Sequence, residues 1–248
     1  MQDWLRLDRR PTLVFGAGGL GAASALSLAA HGAHVALADV NAENLDAVVR
    51  AAKEAGREVK PLVADLRTAE ACRAAVREAV GLVGTPQVFL HAVGRNVRKP
   101  VLEVADADWQ ETLSLNLSSA FWLGQAVGRL MVEQQYGRMV FVSSVSGLLA
   151  HPSHGPYAAT KGGMNQILRV MAREWARHGV TVNAVAPGLI DTDMTAGIPT
   201  RARDRLISRT ALARPGSPED VAHAVTYLAL HGDYVTGQVL VVDGGLSL

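Results

Sequence analysis

Ser144, Tyr157 and Lys161 bring a hydroxyl, a phenol and an ammonium into one short stretch of this 248-residue chain. Ser144 closes Val140-Phe141-Val142-Ser143-Ser144, which reads as a buried strand ending at a polar tip. Tyr157 and Lys161 follow Gly155-Pro156 in an Ala- and Met-containing segment that reads as a helix. Four residues apart, they share one helical face. In α/β proteins ligands gather at the carboxyl ends of strands, where this set would sit. The chemistry on offer is proton transfer to or from a hydroxyl. A phenol ordinarily titrates near ~10; a cationic Lys161 one turn away predicts a lower value and a usable general base. Ser144 can hold a substrate oxygen beside Tyr157, and Ser146, His151 and His154 in the following loop are candidate substrate contacts. Asn116 sits among apolar residues of a long helix. It either faces this site, holding a water that links Lys161 to solvent, or is a polar residue tolerated at a subunit seam.

Proton transfer needs a partner reaction, and the amino-terminal elements supply a candidate. The apolar strand Pro11–Phe15 runs into Gly16-Ala17-Gly18-Gly19-Leu20-Gly21, followed directly by an Ala- and Leu-rich helix from Ala22 to Ala30. Strand, G-x-G-x-x-G and helix in that order form a dinucleotide-binding pattern: the glycines permit a tight turn and close approach of a pyrophosphate to the helix N-terminus. The next strand, His34 to Asp39, ends in a carboxylate eighteen residues after Gly21, followed by Val40. A carboxylate there accepts from adenosine ribose hydroxyls and repels a 2′-phosphate, so NAD is expected rather than NADP. Lys161 can also bind the nicotinamide ribose hydroxyls.

The remaining pattern alternates. A polar helix from Ala42 to Ala55 stops at Gly56, and a strand from Glu58 to Ala64 leads into Asp65-Leu66. Asp65 either accepts from an adenine amine or caps the turn before a helix from Thr68 to Val80. The strand Gln87 to Ala92 opens into Val93-Gly94, a small backbone that can lie against a ligand; Arg95, Arg98 and Lys99 then read as exposed loop residues. Asp108, with Glu111 three residues on, predicts a capped start to the long helix carrying Asn116. Gly162 and Gly163 inside the Tyr157 helix imply a close contact there. The strand Val180 to Val185 ends in Pro187-Gly188-Leu189-Ile190-Asp191-Thr192. The stretch from Ala196 to Arg214, with Pro199 and five Arg, is irregular and is read, within a span 189–214, as a mobile cover over a substrate. Ser217-Pro218-Glu219-Asp220 predicts a capped helix to Leu230, and Gly237 to Gly245 a last strand and turn. Nearly all-apolar strands alternating with helices predict one α/β domain over 1–248 with a parallel sheet covered on both faces.

Composition fits that reading and narrows it. The chain is 49% apolar and 19% charged with a formal net charge of +1, and its Arg residues are spread rather than clustered. No nucleic-acid footprint or membrane-surface patch is expected. Cys72 is the lone cysteine, Met1-Gln2-Asp3-Trp4 begins no signal peptide, and no apolar run is long enough to span a bilayer. A soluble, cytoplasmic protein is expected. His151 and His154 supply two metal ligands at most, without an acidic or cysteine partner at usual spacing, so no metal is expected.

Over essentially its whole length the chain resembles the short-chain dehydrogenase/reductase family. Tyr157-x-x-x-Lys161, Ser144 thirteen residues earlier and Asn116 upstream match that family's catalytic tetrad. Asp39 falls on its NAD-discriminating acidic position and Asp65-Leu66 on its adenine-binding pair. Pro187-Gly188 with Ile190 and Thr192 matches the segment over the nicotinamide, and Asp243-Gly244-Gly245 the carboxyl-terminal signature. The resemblance implies a single-domain, Rossmann-like doubly wound fold with a seven-stranded parallel sheet. It also implies a homotetramer or homodimer, with the Asp108 and Tyr157 helices at one two-fold interface and the last strand at another. Two positions depart from the family: Phe15 replaces a Thr before a glycine loop one residue shorter, and His91-Ala92-Val93-Gly94 replaces Asn-Asn-Ala-Gly, so that His91 stands where an asparagine helps tie the sheet. The expected activity is hydride exchange between NAD and a secondary alcohol or ketone, of polyol, sugar, hydroxyacyl thioester or cyclic type. Two alternatives stand beside it: a 3-oxoacyl-carrier-protein reductase-like enzyme using NADPH, and a non-catalytic dinucleotide-binding sensor or scaffold.

Overall fold

The computed structural model describes Leu7 and residues 9–248; Met1 to Trp4, which carry the expectation of no leader, lie outside the described residues. Strands β1 (Pro11–Phe15), β2 (His34–Asp39), β3 (Val59–Val63), β4 (Val88–His91), β5 (Gly137–Val142), β6 (Val180–Pro187) and β7 (Val239–Val242) form one sheet. They pair in the order β3-β2-β1-β4-β5-β6-β7, every pair parallel. The order reverses between β1 and β4, and a ligand crevice opens at such a switch point. Every residue of β4, β5 and β6 is buried, which is why those strands read as continuous apolar runs. In the edge strand β3 only Val59 is buried, and half-buried Lys60 and Leu62 alternate with exposed Pro61 and Val63.

Helices α1 (Gly19–Ala30), α2 (Ala42–Glu54) and α9 (Pro218–His231) cover one face, sharing a core with Leu37, Leu90 and Val140. Helices α3 (Ala69–Val83), α5 (Ser119–Glu133) and α6 (Gly155–Trp175) cover the other, around Phe15, Phe89 and Phe141. The expected two-sided cover is present. So is the start of α9: Ser217 and Asp220 form a reciprocal capping box with Pro218 in the first turn.

Two expectations are corrected. The long helix does not begin at Asp108. Helix α4 (Asp106–Leu113) starts two residues earlier behind Ala105, because the Asp108 carboxylate is taken by Lys99 Nζ at 2.7 Å and Glu111 pairs with Arg95. A π-helical turn, Ser114–Ser118, then separates α4 from α5. The stretch after Thr192 is not irregular either: it forms α7 (Asp193–Ala196) and α8 (Thr200–Arg209). Ile198, Ala202 and Leu206, four residues apart, put one apolar face of this segment on the cavity described below.

His91 is fully buried in β4 and its Nε2 lies 3.0 Å from Ser119 Oγ, which in turn donates to Leu115 O. The substituted histidine therefore ties the central strand to the π-turn. Burial and the nearby Lys161 charge push its pKa down to about 3, so it sits there neutral.

Candidate active site

The carboxyl ends of β1, β2, β4, β5 and β6 open on a cavity of about 830 Å³. Its floor begins at the glycine turn. Gly16 has φ +101, and a Cβ there would lie 2.7 Å from Ala92 C, so only glycine permits this turn against β4. Gly18 is the N-cap of α1 and offers no side-chain cap, nor does the first turn contain an acidic residue. Space beside Gly18 is open, with no atom within 4 Å of a Cβ built there. An uncapped helix N-terminus has free N–H groups and partial positive charge, here facing a cavity with room for a phosphate. Gly19 makes room for Thr192, whose Cγ2 would be 2.9 Å from a Cβ.

Asp39 does more than face the cavity. Its Oδ2 accepts from Ala17 N at 2.6 Å and its Oδ1 from Asn41 N at 2.8 Å, so the carboxylate clamps the shortened glycine loop to the end of β2. Asp65 accepts from Arg67 N at 3.1 Å and pairs with the Arg67 guanidinium at 2.5 Å; it caps its turn and lines the cavity as well.

The tip of β5 carries Ser143 and Ser144. Ser144 accepts from Ser146 N at 3.1 Å, opening a short 3₁₀ turn. Ser143 donates to Asn165 Oδ1 at 2.6 Å, and Asn165 donates to Gly147 O at 3.3 Å, which locks this turn onto α6. Gly163 meets Leu117, 3.1 Å from a built Cβ, the close contact its position implied. Lys161 is buried, its Nζ donating to Val142 O at 2.7 Å and lying 5.6 Å from the Tyr157 ring centroid. Burial pushes Lys161 down to about 7.

Here the structure corrects the expected electrostatics. The Tyr157 phenol is shifted up by burial, opposed by a hydrogen bond with Ser144 and by the Arg98 charge. Desolvation outweighs both.

Every residue expected in the dinucleotide or substrate site lines this one cavity except Asn116. Asn116 is fully buried behind the wall. Its Oδ1 accepts from Arg95 N at 2.8 Å, and its Nδ2 donates to Arg95 O at 2.9 Å and Thr160 Oγ1 at 3.2 Å. The amide thus pins the loop after β4 to α6. The sequence alone does not single out Ile198, Ala202 and Leu206, although their spacing of four was the available signal. Among the described residues no cluster suited to a metal ion occurs, and no helix is long and apolar enough to cross a membrane.

A family model described as enoyl-(acyl carrier protein) reductase matches residues 16–247. The 3-oxoacyl-[acyl-carrier-protein] reductase of Thermotoga maritima is 36% identical, over 98% of this chain and 100% of its own length. The galactitol 2-dehydrogenase (L-tagatose-forming) of Cereibacter sphaeroides is 37% identical, over 98% of this chain and 97% of its own. A solved gluconate 5-dehydrogenase from Burkholderia cenocepacia, in complex with NADP and tartrate, has a TM-score of 0.93 at 33% identity, covering 99% of this chain and 98% of that one. The chain belongs to the short-chain dehydrogenase/reductase superfamily, and it is an NAD(P)-dependent oxidoreductase of secondary alcohols and ketones.

The Lys161 shift gives a stability test that needs no substrate. Folded Lys161 titrates near 7 against an ordinary 10.5, so between those values the unfolded chain binds more protons and fold stability rises with pH. Lys161→Met removes that dependence. The Tm of the variant minus that of the wild type should be largest at or below about pH 7 and shrink by several degrees toward about pH 10. Thermal melts showing a constant difference across that window would contradict a discharged, buried lysine.

Proposed function

We propose that this protein is an NAD-dependent dehydrogenase that interconverts a secondary alcohol and its ketone, with Tyr157 as the acid/base. The observation that carries this reading is the convergence of Ser144, Tyr157 and Lys161 on the cavity that also holds the uncapped N-terminus of α1 and the Asp39 carboxylate.

The residues suit a dinucleotide along the whole cavity. Gly16 to Gly21 would hold the pyrophosphate at the α1 N-terminus, with Asp39 and Val40 at the adenosine ribose and Asp65 and Leu66 beside the adenine. Ala92, Val93 and Gly94 would form one wall, and Pro187, Gly188, Ile190 and Thr192 the cover over the nicotinamide. When bound, the nicotinamide would supply the two-electron chemistry, as hydride acceptor for alcohol oxidation or hydride donor for ketone reduction. The side chains manage the proton. Ser144 donates a hydrogen bond to the substrate oxygen and holds it against Tyr157 Oη. In oxidation Tyr157 takes the hydroxyl proton; in reduction it gives that proton to the forming alkoxide. Lys161 is held by Val142 O within reach of the phenol's field. It stabilises the phenolate when protonated and, titrating near 7, can exchange the proton onward. Asn116 acts at one remove, fixing the loop and helix between which Lys161 lies.

NAD rather than NADP follows from the ribose end. The Asp39 carboxylate would confront a 2′-phosphate, and the nearby cation, Arg67, is already paired with Asp65. Two charges about 4 Å apart repel by roughly 1 to 4 kcal/mol in partly solvated surroundings. The likeness to a 3-oxoacyl-[acyl-carrier-protein] reductase supports a second reading, a thioester ketone as substrate, and activity on an acetoacetyl thioester would favour it.

Two experiments test the proposal. Tyr157→Phe should lower kcat by at least ~10²-fold while the dissociation constant for NADH, read by fluorescence, changes little; a variant turning over at the wild-type rate removes Tyr157 from the reaction. Asp39→Asn keeps an acceptor for Ala17 N but removes the charge. It should shift the ratio of kcat/KM for NAD over NADP toward NADP by ~tenfold or more. An unchanged ratio would show that cofactor choice is made elsewhere.

A further inference from the structure

The loop after β4 carries three cations in five residues, Arg95, Arg98 and Lys99, and the structure separates them. Arg95 is paired with Glu111 and Lys99 with Asp108. Arg98 has neither a hydrogen bond nor an ion pair from its side chain among the described residues, and it lines the cavity. Its charge is near enough to act on the Tyr157 phenol. The other Arg and Lys side chains lining the cavity are engaged: Arg67 by Asp65, Lys161 by Val142 O.

The loop is held on both sides of Arg98. Arg95 is bonded through its backbone to Asn116, and Lys99 N donates to Ser153 O at 3.2 Å. The second contact joins it to the loop of His151 and His154, whose rings lie 5.9 Å apart, with His154 6.3 Å from the Tyr157 ring. His154 Nδ1 is fixed by Pro152 O at 2.9 Å. Of the carboxylates lining the same cavity, Glu111 is tied to Arg95, Asp65 to Arg67, and Asp39 to the glycine loop. Asp193 remains, but on the segment after β6, two strands from β4 in the sheet. Arg98 is itself exposed, so an unneutralised guanidinium stands at the mouth of the cavity, on a loop anchored on both sides, with its charge felt at the proton-transfer group.

We propose that Arg98 binds a carboxylate of the substrate, so that the alcohol oxidised here belongs to a hydroxy acid. The inference rests on the dehydrogenase reading for the reaction but not for the binding. A planar guanidinium matches a carboxylate in a two-bond fork, and that anchor leaves the carbinol carbon to be presented at Ser144 and Tyr157. A single free guanidinium also suits one negative charge better than a phosphate dianion, since Arg95 and Lys99 are already neutralised.

Gluconate and sorbitol share a carbon skeleton and differ at one end by a carboxylate against a hydroxymethyl, which makes them the discriminating pair, with acetoacetyl-CoA as a phosphate-bearing control. Kinetics with NAD or NADH and calorimetric binding to the NADH-loaded protein would be measured for the wild type, Arg98→Gln and Arg98→Lys. The expected result is a preference for gluconate over sorbitol that falls at least ~tenfold in Arg98→Gln, carried in KM rather than kcat, and is partly restored in Arg98→Lys. Gluconate binding that depends on Arg98 without turnover of any alcohol would uphold the subsite and sink the dehydrogenase reading. Neutral alcohols oxidised as well as acids, or a gluconate preference untouched by Arg98→Gln, would overturn the subsite and leave the dehydrogenase reading intact. Arg98 dependence for acetoacetyl-CoA but not for gluconate would overturn it in favour of a phosphate.

Discussion

The site depends on one buried ammonium. Lys161 is carried by α6 into the space at the end of β5, where its Nζ bonds Val142 O and little else. Placing a cation out of water is costly unless a partner compensates, and among the described residues no carboxylate pairs with it. The lysine responds by titrating near neutrality. Its surroundings then make sense as what keeps it there: Gly147 and Gly163 allow the close approaches of the β5 turn and of Leu117 to α6. Asn116 and Asn165 bond across the same helix, and neutral His91 adds no second charge.

At the other end of the cavity the same economy holds with opposite sign. Asp39 is both a carboxylate lining the cavity and the acceptor that ties the glycine loop to the end of β2. His91 shows a comparable exchange: an imidazole bonded to Ser119 ties the central strand to the helix layer where the family's asparagine would.

Much of this was legible in the residues. The largely apolar β4, β5 and β6, the glycine turn with its following helix, the Ser217-Pro218 start of α9 and the Ser144, Tyr157, Lys161 set all depend on short-range pattern, and each stands where the pattern puts it. What was not legible depends on contacts distant in sequence. Asp108 reads as a cap until Lys99 reaches it from nine residues earlier. The π-turn around Asn116 has no spacing of its own, and the partners of that amide, Arg95 and Thr160, are 21 and 44 residues away. The direction of the Tyr157 shift is the clearest case: helical spacing reports a lysine one turn off, whereas burial, which decides the sign, belongs to the whole fold. Helix α8 was obscured by Pro199 and its Arg residues, although Ile198, Ala202 and Leu206 carried a helical period.

Burial raises the Tyr157 phenol, whereas the base role proposed for it asks for a lower value, which the positive ring of a bound NAD⁺ beside it would supply. Titration of tyrosinate absorbance, taken as the difference between wild type and Tyr157→Phe, measures this directly with and without saturating NAD⁺. The expected result is a phenol above its ordinary value without the dinucleotide and a clear fall toward neutrality with it. A Tyr157 that stays above its ordinary value when NAD⁺ is bound would contradict the account.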